Sequence, residues 1–196
     1  MLYPLSYGGW PGKVSTSWAV LSFPATVVGV RPLLTSVLAT ILIALPVGCV
    51  SRPDPGPAVL RDSAPPWDAP RDGVAYIEAA GLPEQPLDTD ADPWILDLTV
   101  TVDGREVEVP AYIGVDRLRA VQAPAHTHAP GGEIWLEGEG NRDVTLGEFF
   151  TLWGVRLDSD CVGGACGDLV VTADGEPVAD PPSLVLRGLD RVVVSG

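Results

Sequence analysis

His126 and His128 are the only histidines in the chain, and a single residue separates them. In an extended strand, side chains two positions apart leave the same face with Cα atoms about 6.5 to 7 Å apart, so both imidazoles can reach one cation. Two ligands do not make a site, because zinc or copper is usually held by three or four. With no third histidine, completion falls to carboxylates. Asp97 lies on the polar face of the strand WILDLTVTV, and Glu133 and Glu137 lie on the strand after the turn at Pro130-Gly131-Gly132. The metal-ligating set is therefore read as His126 and His128, with Asp97 and Glu137 as completions, and the ion as a transition metal, zinc or copper. The bland alternative is two polar strand positions at a loop edge, since H-x-H spacing alone has low specificity.

Other chemistries are weaker. The run DTDAD at 88–92 alternates carboxylates as a calcium loop does, but Pro93 stands where an EF-hand needs glycine and Thr99 where it needs the closing glutamate. A solvated linker is the better reading. There is no G-x-S-x-G elbow and no dinucleotide glycine fingerprint after a strand. No catalytic or cofactor-binding residue is assigned, and a non-catalytic role is favoured over an enzyme. Cys161 and Cys166 enclose V-G-G-A, whose glycines let the backbone fold back, so a disulfide is expected in an exported chain. Trp94, Trp135 and Trp153 could offer ligand stacking, but burial of one or more of them in the core is the better reading, and Phe149, Phe150 and Trp153 read as helix-to-sheet packing.

The elements that must position the histidines are mostly strands. In WILDLTVTV, Trp94, Leu96, Leu98, Val100 and Val102 alternate with Asp97, Thr99 and Thr101, the pattern of a half-buried strand. Asp103-Gly104 then turns the chain into REVEV, and Asp174-Gly175 turns it again within DLVVTADGEPV. SLVL and DRVVVSG read as further strands, and QAPAHTHAPGGEIWLEGE as a strand pair. Two short helices are expected: VAYIEAA stopped by Gly81, and a run opened by the capping-box spacing Thr145–Glu148, carried by EFFTLW and ended by Gly154. The fold class is mainly β (α+β), a small sheet or sandwich built on DG hairpins with one or two packed helices.

The amino-terminal part carries an address. Residues 33–50, LLTSVLATILIALPVGCV, hold no charge, follow Arg31 and precede a proline-rich stretch, the pattern of a secretory signal or a single membrane span. Cys49 follows Leu45-Pro46-Val47-Gly48, which resembles a bacterial lipobox and makes Cys49 the candidate lipidation site. Pro46 departs from that pattern. Residues 1–29 fit no signal and read as a mis-called start, with a true start at Val28 or Val30. The chain is thus divided into 1–29, a signal or anchor at 30–50, a proline-rich spacer at 51–72 and an extracytoplasmic β-rich domain at 73–196. All 26 acidic residues lie beyond residue 50 against ten arginines. Such an excess repels phosphate backbones, so no nucleic-acid partner is expected. With no lysine after Lys13, a Schiff-base or P-loop lysine is excluded there.

The series AAGLP, LTVTVDGREVEVPAYIGV, AHTHAPGGEIWLE, TLGEFFTLWGVRLDSDCVGGACG and VVTADGEPVADPPSLVLRGLDRVVV resembles an uncharacterised family of exported or membrane-anchored prokaryotic proteins. Its pattern runs AGLP, H-x-H-x-H-L, a DG or NG hairpin, W-L-H-T-H-D, I-H-I-E and T-L-G-Q-F-F-x-x-W-G. The resemblance spans about residues 74–196, and its histidine richness implies a metal site. This chain keeps His126 and His128, but the family's following acid is replaced by Ala129. The three strand histidines fall on Pro93, Ile95 and Asp97, and the I-H-I-E histidine on Trp135. The resemblance therefore implies a reduced site.

Three functions stay open. The first is a surface-tethered envelope protein or lipoprotein with a non-catalytic binding domain and an envelope partner of unspecified kind. The others are a metal-binding protein using the H-x-H pair and a metal-dependent enzyme on the same site. All place the chain at the cell membrane, lipid-anchored or single-span, with the domain outside the cytoplasm.

Overall fold

The computed structural model describes residues 56–87 and 92–196. The expected signal, the Cys49 lipidation site and most of the DTDAD run lie outside them. Among the described residues no helix is long and apolar enough to cross a membrane.

The strand read from WILDLTVTV forms as β2, Trp94–Val102, after the two-residue β1, Gln85–Pro86. Leu96, Leu98, Val100 and Val102 are buried, as the alternation requires. Asp103 and Gly104 both take positive φ, 52° and 72°, the paired left-handed turn that matches strand twist. It returns the chain into β3, Arg105–Val107. The short strands β4, Val115–Asp116, and β5, Val121–Gln122, pair with β1 in a separate sheet of order β1-β5-β4. Then come β6, Ala125–His126, and β7, Glu133–Leu136. β8, Cys161–Val162, and β9, Ala165–Cys166, form a small hairpin. The chain ends with β10, Val170–Ala173, β11, Glu176–Pro177, and β12, Arg191–Ser195.

The main sheet runs β11-β10-β12-β2-β7-β6, with β3 also on β2. β12 lies parallel to β2, Arg191 opposite Asp97 and Ser195 opposite Thr101, while β7 runs antiparallel on the other edge. SLVL is no strand: Pro181–Ser183 is a 3-10 turn, and Val185 makes only an isolated bridge to Thr145.

Two helices pack against each other, α1, Gly73–Ala79, which also lies against β4 and β5, and α2, Leu146–Trp153. α2 is locally encoded at both ends. Thr145 Oγ1 accepts from Glu148 N, Glu148 Oε2 accepts from Thr145 N at 2.7 Å, and Gly154 ends the helix at φ 70°. Leu146, Phe149, Phe150, Leu152 and Trp153 are buried against Leu96, Val100, Ile134, Val192 and their neighbours.

The proline-rich stretch does not behave as a spacer throughout. From Arg61 it is docked on the domain. Arg61 N donates to Gly154 O at 2.9 Å and Arg61 O accepts from Arg156 N at 3.0 Å. Trp67 is 2% exposed, lies edge-on to Trp153 with centroids 5.6 Å apart, and its carbonyl accepts from Trp153 Nε1. An indole of that size gains more by burial than an extended linker gains by staying solvated. Cys161 and Cys166 form the expected disulfide. Its loop closes onto this strap, with Gly164 N donating to Ser63 O at 3.0 Å and Gly163 so near Trp67 that a Cβ would sit 2.3 Å from the indole.

Candidate functional site

The sheet edge brings His126, His128 and Glu137 together. β6 and β7 pair antiparallel with His126 opposite Trp135, so Glu137, two residues past Trp135, emerges beside His126. Glu137 N donates to Pro124 O at 3.0 Å and fixes that end of the strand pair. Between the histidines, Thr127 points the other way. Its hydroxyl donates to Pro110 O at 2.8 Å and accepts from Ile113 N at 3.1 Å. The H-x-H alternation read from the sequence is therefore fixed by the residue in the middle.

The donor atoms converge. His126 Nε2 lies 3.2 Å from His128 Nε2 and 3.5 Å from Glu137 Oε1, and one donor atom from each of the three lies within 4.8 Å of the others. Two ligands of a tetrahedral zinc, each at about 2.0 to 2.1 Å, stand about 3.3 Å apart. The spacings around His126 are thus those of neighbouring ligands on one ion. Among the described residues this is the group of three or more histidines, cysteines or carboxylates close enough to share a metal. Asp97 is not in it: its strand partners are Glu133 on one side and Arg191 on the other, farther along the sheet than Ile95 and Trp135. Of the proposed completions the structure selects Glu137 and leaves out Asp97 and Glu133.

Protonation favours metal binding. His126 Nδ1 faces the carbonyl of Ala123 at 3.0 Å. A carbonyl can only accept, so Nδ1 carries the hydrogen and Nε2 presents its lone pair toward the cluster. Burial pushes the His126 pKa below its ordinary value, and His128 adds to this, while the Ala123 bond and Glu137 pull it up. Desolvation is the largest effect. Burial thus disfavours the charged imidazole that an ion pair with Glu137 would need. Without a cation, the exposed His128 must turn an N–H inward to bond the His126 lone pair.

Two glutamines that carry no ionisable signature complete the surroundings. Gln122 Nε2 donates to Glu137 Oε1 at 2.8 Å, and Gln85 Nε2 donates to the Glu137 carbonyl at 3.0 Å. Both are buried, and they sit opposite each other in the β1–β5 pair. Gly138, at φ 74°, leaves room for Gln85, because a Cβ there would stand 1.7 Å from its Oε1. Trp135 borders the site, with its ring edge-on to His128 at 4.8 Å between centroids.

No family model, curated protein or solved structure matches the chain.

Proposed function

We propose that this chain is an exported, membrane-tethered metal-binding protein whose β-rich domain holds Zn²⁺ or Cu²⁺ through His126 Nε2, His128 Nε2 and Glu137. The observation that carries the reading is the convergence of three donor atoms within 4.8 Å of one another, two of them at neighbouring-ligand distance from the buried His126, whose imidazole is held in the ligating tautomer. The donors are nitrogen and oxygen only. Cys161 and Cys166 are joined and Met1 is the one methionine, so the set suits Zn²⁺ and Cu²⁺ better than Cu⁺. Export rests on the uncharged stretch ending near Cys49 and on the cysteine pair, and tethering on the lipobox-like residues. The resemblance to a histidine-rich exported family points the same way.

Calorimetric titration of the metal-free chain with Zn²⁺ and Cu²⁺ tests it. One equivalent should bind, and the His126→Ala/His128→Ala double variant should lose that binding. Equal uptake by the double variant rejects the site.

A metal-dependent enzyme is the second reading, favoured by one observation: two histidines and a carboxylate leave a four-coordinate ion a place for water. Zinc-dependent hydrolysis of a simple activated ester, absent from Glu137→Gln, would support it.

A further inference from the structure

A second site lies in the loop between β3 and β5. There a cavity of about 490 Å³ opens between residues 69–71, which lead into α1, and residues 111–118; it is lined by Arg71, Arg117, Tyr112, Leu118, Pro70 and Val115 together with two alanines. Its size is that of a small-molecule pocket. Its charge is opposite to that of its surroundings. From residue 56 onward the chain carries nine arginines and 25 acidic residues, yet no carboxylate lines this cavity. The nearby acids are already engaged: Arg119 Nη1 holds Asp72 at 3.0 Å and the fully buried Asp116 at 2.8 Å. Burial alone would raise the Asp116 pKa, but Arg119 and the Leu118 amide outweigh it and hold the group ionised. Arg119 thus takes up both carboxylates, and the two remaining guanidiniums, Arg71 and Arg117, are at the cavity.

Arg71 and Arg117 make no ion pair among the described residues. Arg117 sits over the Tyr112 ring, its Cζ 4.7 Å from the centroid. The ring holds the guanidinium at this edge of the cavity without neutralising its charge, which stays available to an oxyanion. The loop is also held in a costly shape. Tyr112 has φ 66° and Ala120 φ 55°, left-handed values that cost a residue with a side chain about 1 to 3 kcal/mol and persist where neighbours enforce them. Here Tyr112 N donates to Thr127 O at 2.8 Å. Tyr112 and Leu118 remain 43% and 74% exposed, so the enforced shape displays an aromatic and an aliphatic side chain beside two unpaired cations.

We infer that this cavity binds a small anionic ligand whose carboxylate or phosphate sits between Arg71 and Arg117 and whose ring or apolar body lies on Tyr112 and Leu118. The inference is independent of the metal site. A free phosphate lacks the body, and an uncharged ring lacks the anchor.

Amide and arginine side-chain NMR of the full chain in maltoside micelles, titrated with phenyl phosphate, inorganic phosphate and benzyl alcohol, tests it. Phenyl phosphate should shift Arg71 and residues 111–118 saturably, and more tightly than either fragment. Arg71→Ala and Arg117→Ala should each weaken it about tenfold. Arg71→Lys and Arg117→Lys, which keep the charge and the loop, should weaken it less. Shifts spread evenly over Arg105, Arg142 and Arg191, or unchanged affinity in the Arg71→Ala/Arg117→Ala chain, would overturn the site. Equal affinity for phenyl phosphate and inorganic phosphate would overturn the ligand class.

Discussion

The side-chain amide of Gln122 donates to Oε1 of Glu137 at 2.8 Å, and that same oxygen lies 3.5 Å from Nε2 of His126. One oxygen is thus shared between an orienting donor and the buried imidazole of the proposed metal site. Groups that orient a ligand in this way commonly change metal affinity ten- to a hundredfold when removed. Gln122→Ala should weaken Zn²⁺ binding by about tenfold or more in a calorimetric titration, with the stoichiometry kept. An unchanged dissociation constant would show that Glu137 needs no help or does not ligate.

His126 sets a pH dependence. Its ring holds a proton less well in the folded chain than when exposed, chiefly because it is buried. Below the unfolded value of about 6.5, the unfolded chain takes up the proton first, so the stability of the metal-free protein should fall as pH drops through that point. The carboxylates held below their ordinary range, Asp116 and Asp158, act only at lower pH. Urea unfolding between about pH 6.5 and 5.5 should show a smaller loss in His126→Gln than in the wild type. Parallel curves would assign the slope elsewhere.

Trp67 joins the strap to the core. Trp67→Ala should cost about 3 to 5 kcal/mol and open Arg61 and Arg71 to trypsin. The disulfide loop closes about 2 kcal/mol of chain entropy, and because Gly163 rests against the Trp67 ring, the two effects should not add. A Trp67→Ala/Cys161→Ser/Cys166→Ser chain whose destabilisation equals the sum of its parts would contradict that contact.

The cap of α2 gives a local test. Thr145→Ala removes the acceptor for Glu148 N and should cost about 1 kcal/mol, seen as a lower urea midpoint with the denaturant slope unchanged.

What the sequence reveals follows the range of each interaction. α2 is legible because Thr145, Glu148 and Gly154 state its ends within ten residues, and β2 because alternation needs no partner strand. His126 and His128 are legible as a pair for the same reason. The carboxylate that meets them depends on the register of β7 against β6, and no local pattern separates Glu137 from Asp97. Gln85 and Gln122 are harder still, because neutral amides have no titration and no motif, and they meet through a two-residue strand pairing. The strap misleads for a related reason: the prolines over 51–72 suggest a free spacer, but the single tryptophan among them decides where it lies.

The docking of that strap alters how far the domain could travel if the chain is anchored at Cys49. Held to the domain from Val59 and Arg61 onward, the strap would leave ten residues back to Cys49, a stretch that could span at most about 35 Å. A domain tethered in that way would sweep a shallow shell over the membrane, and any partner it met would have to enter that shell.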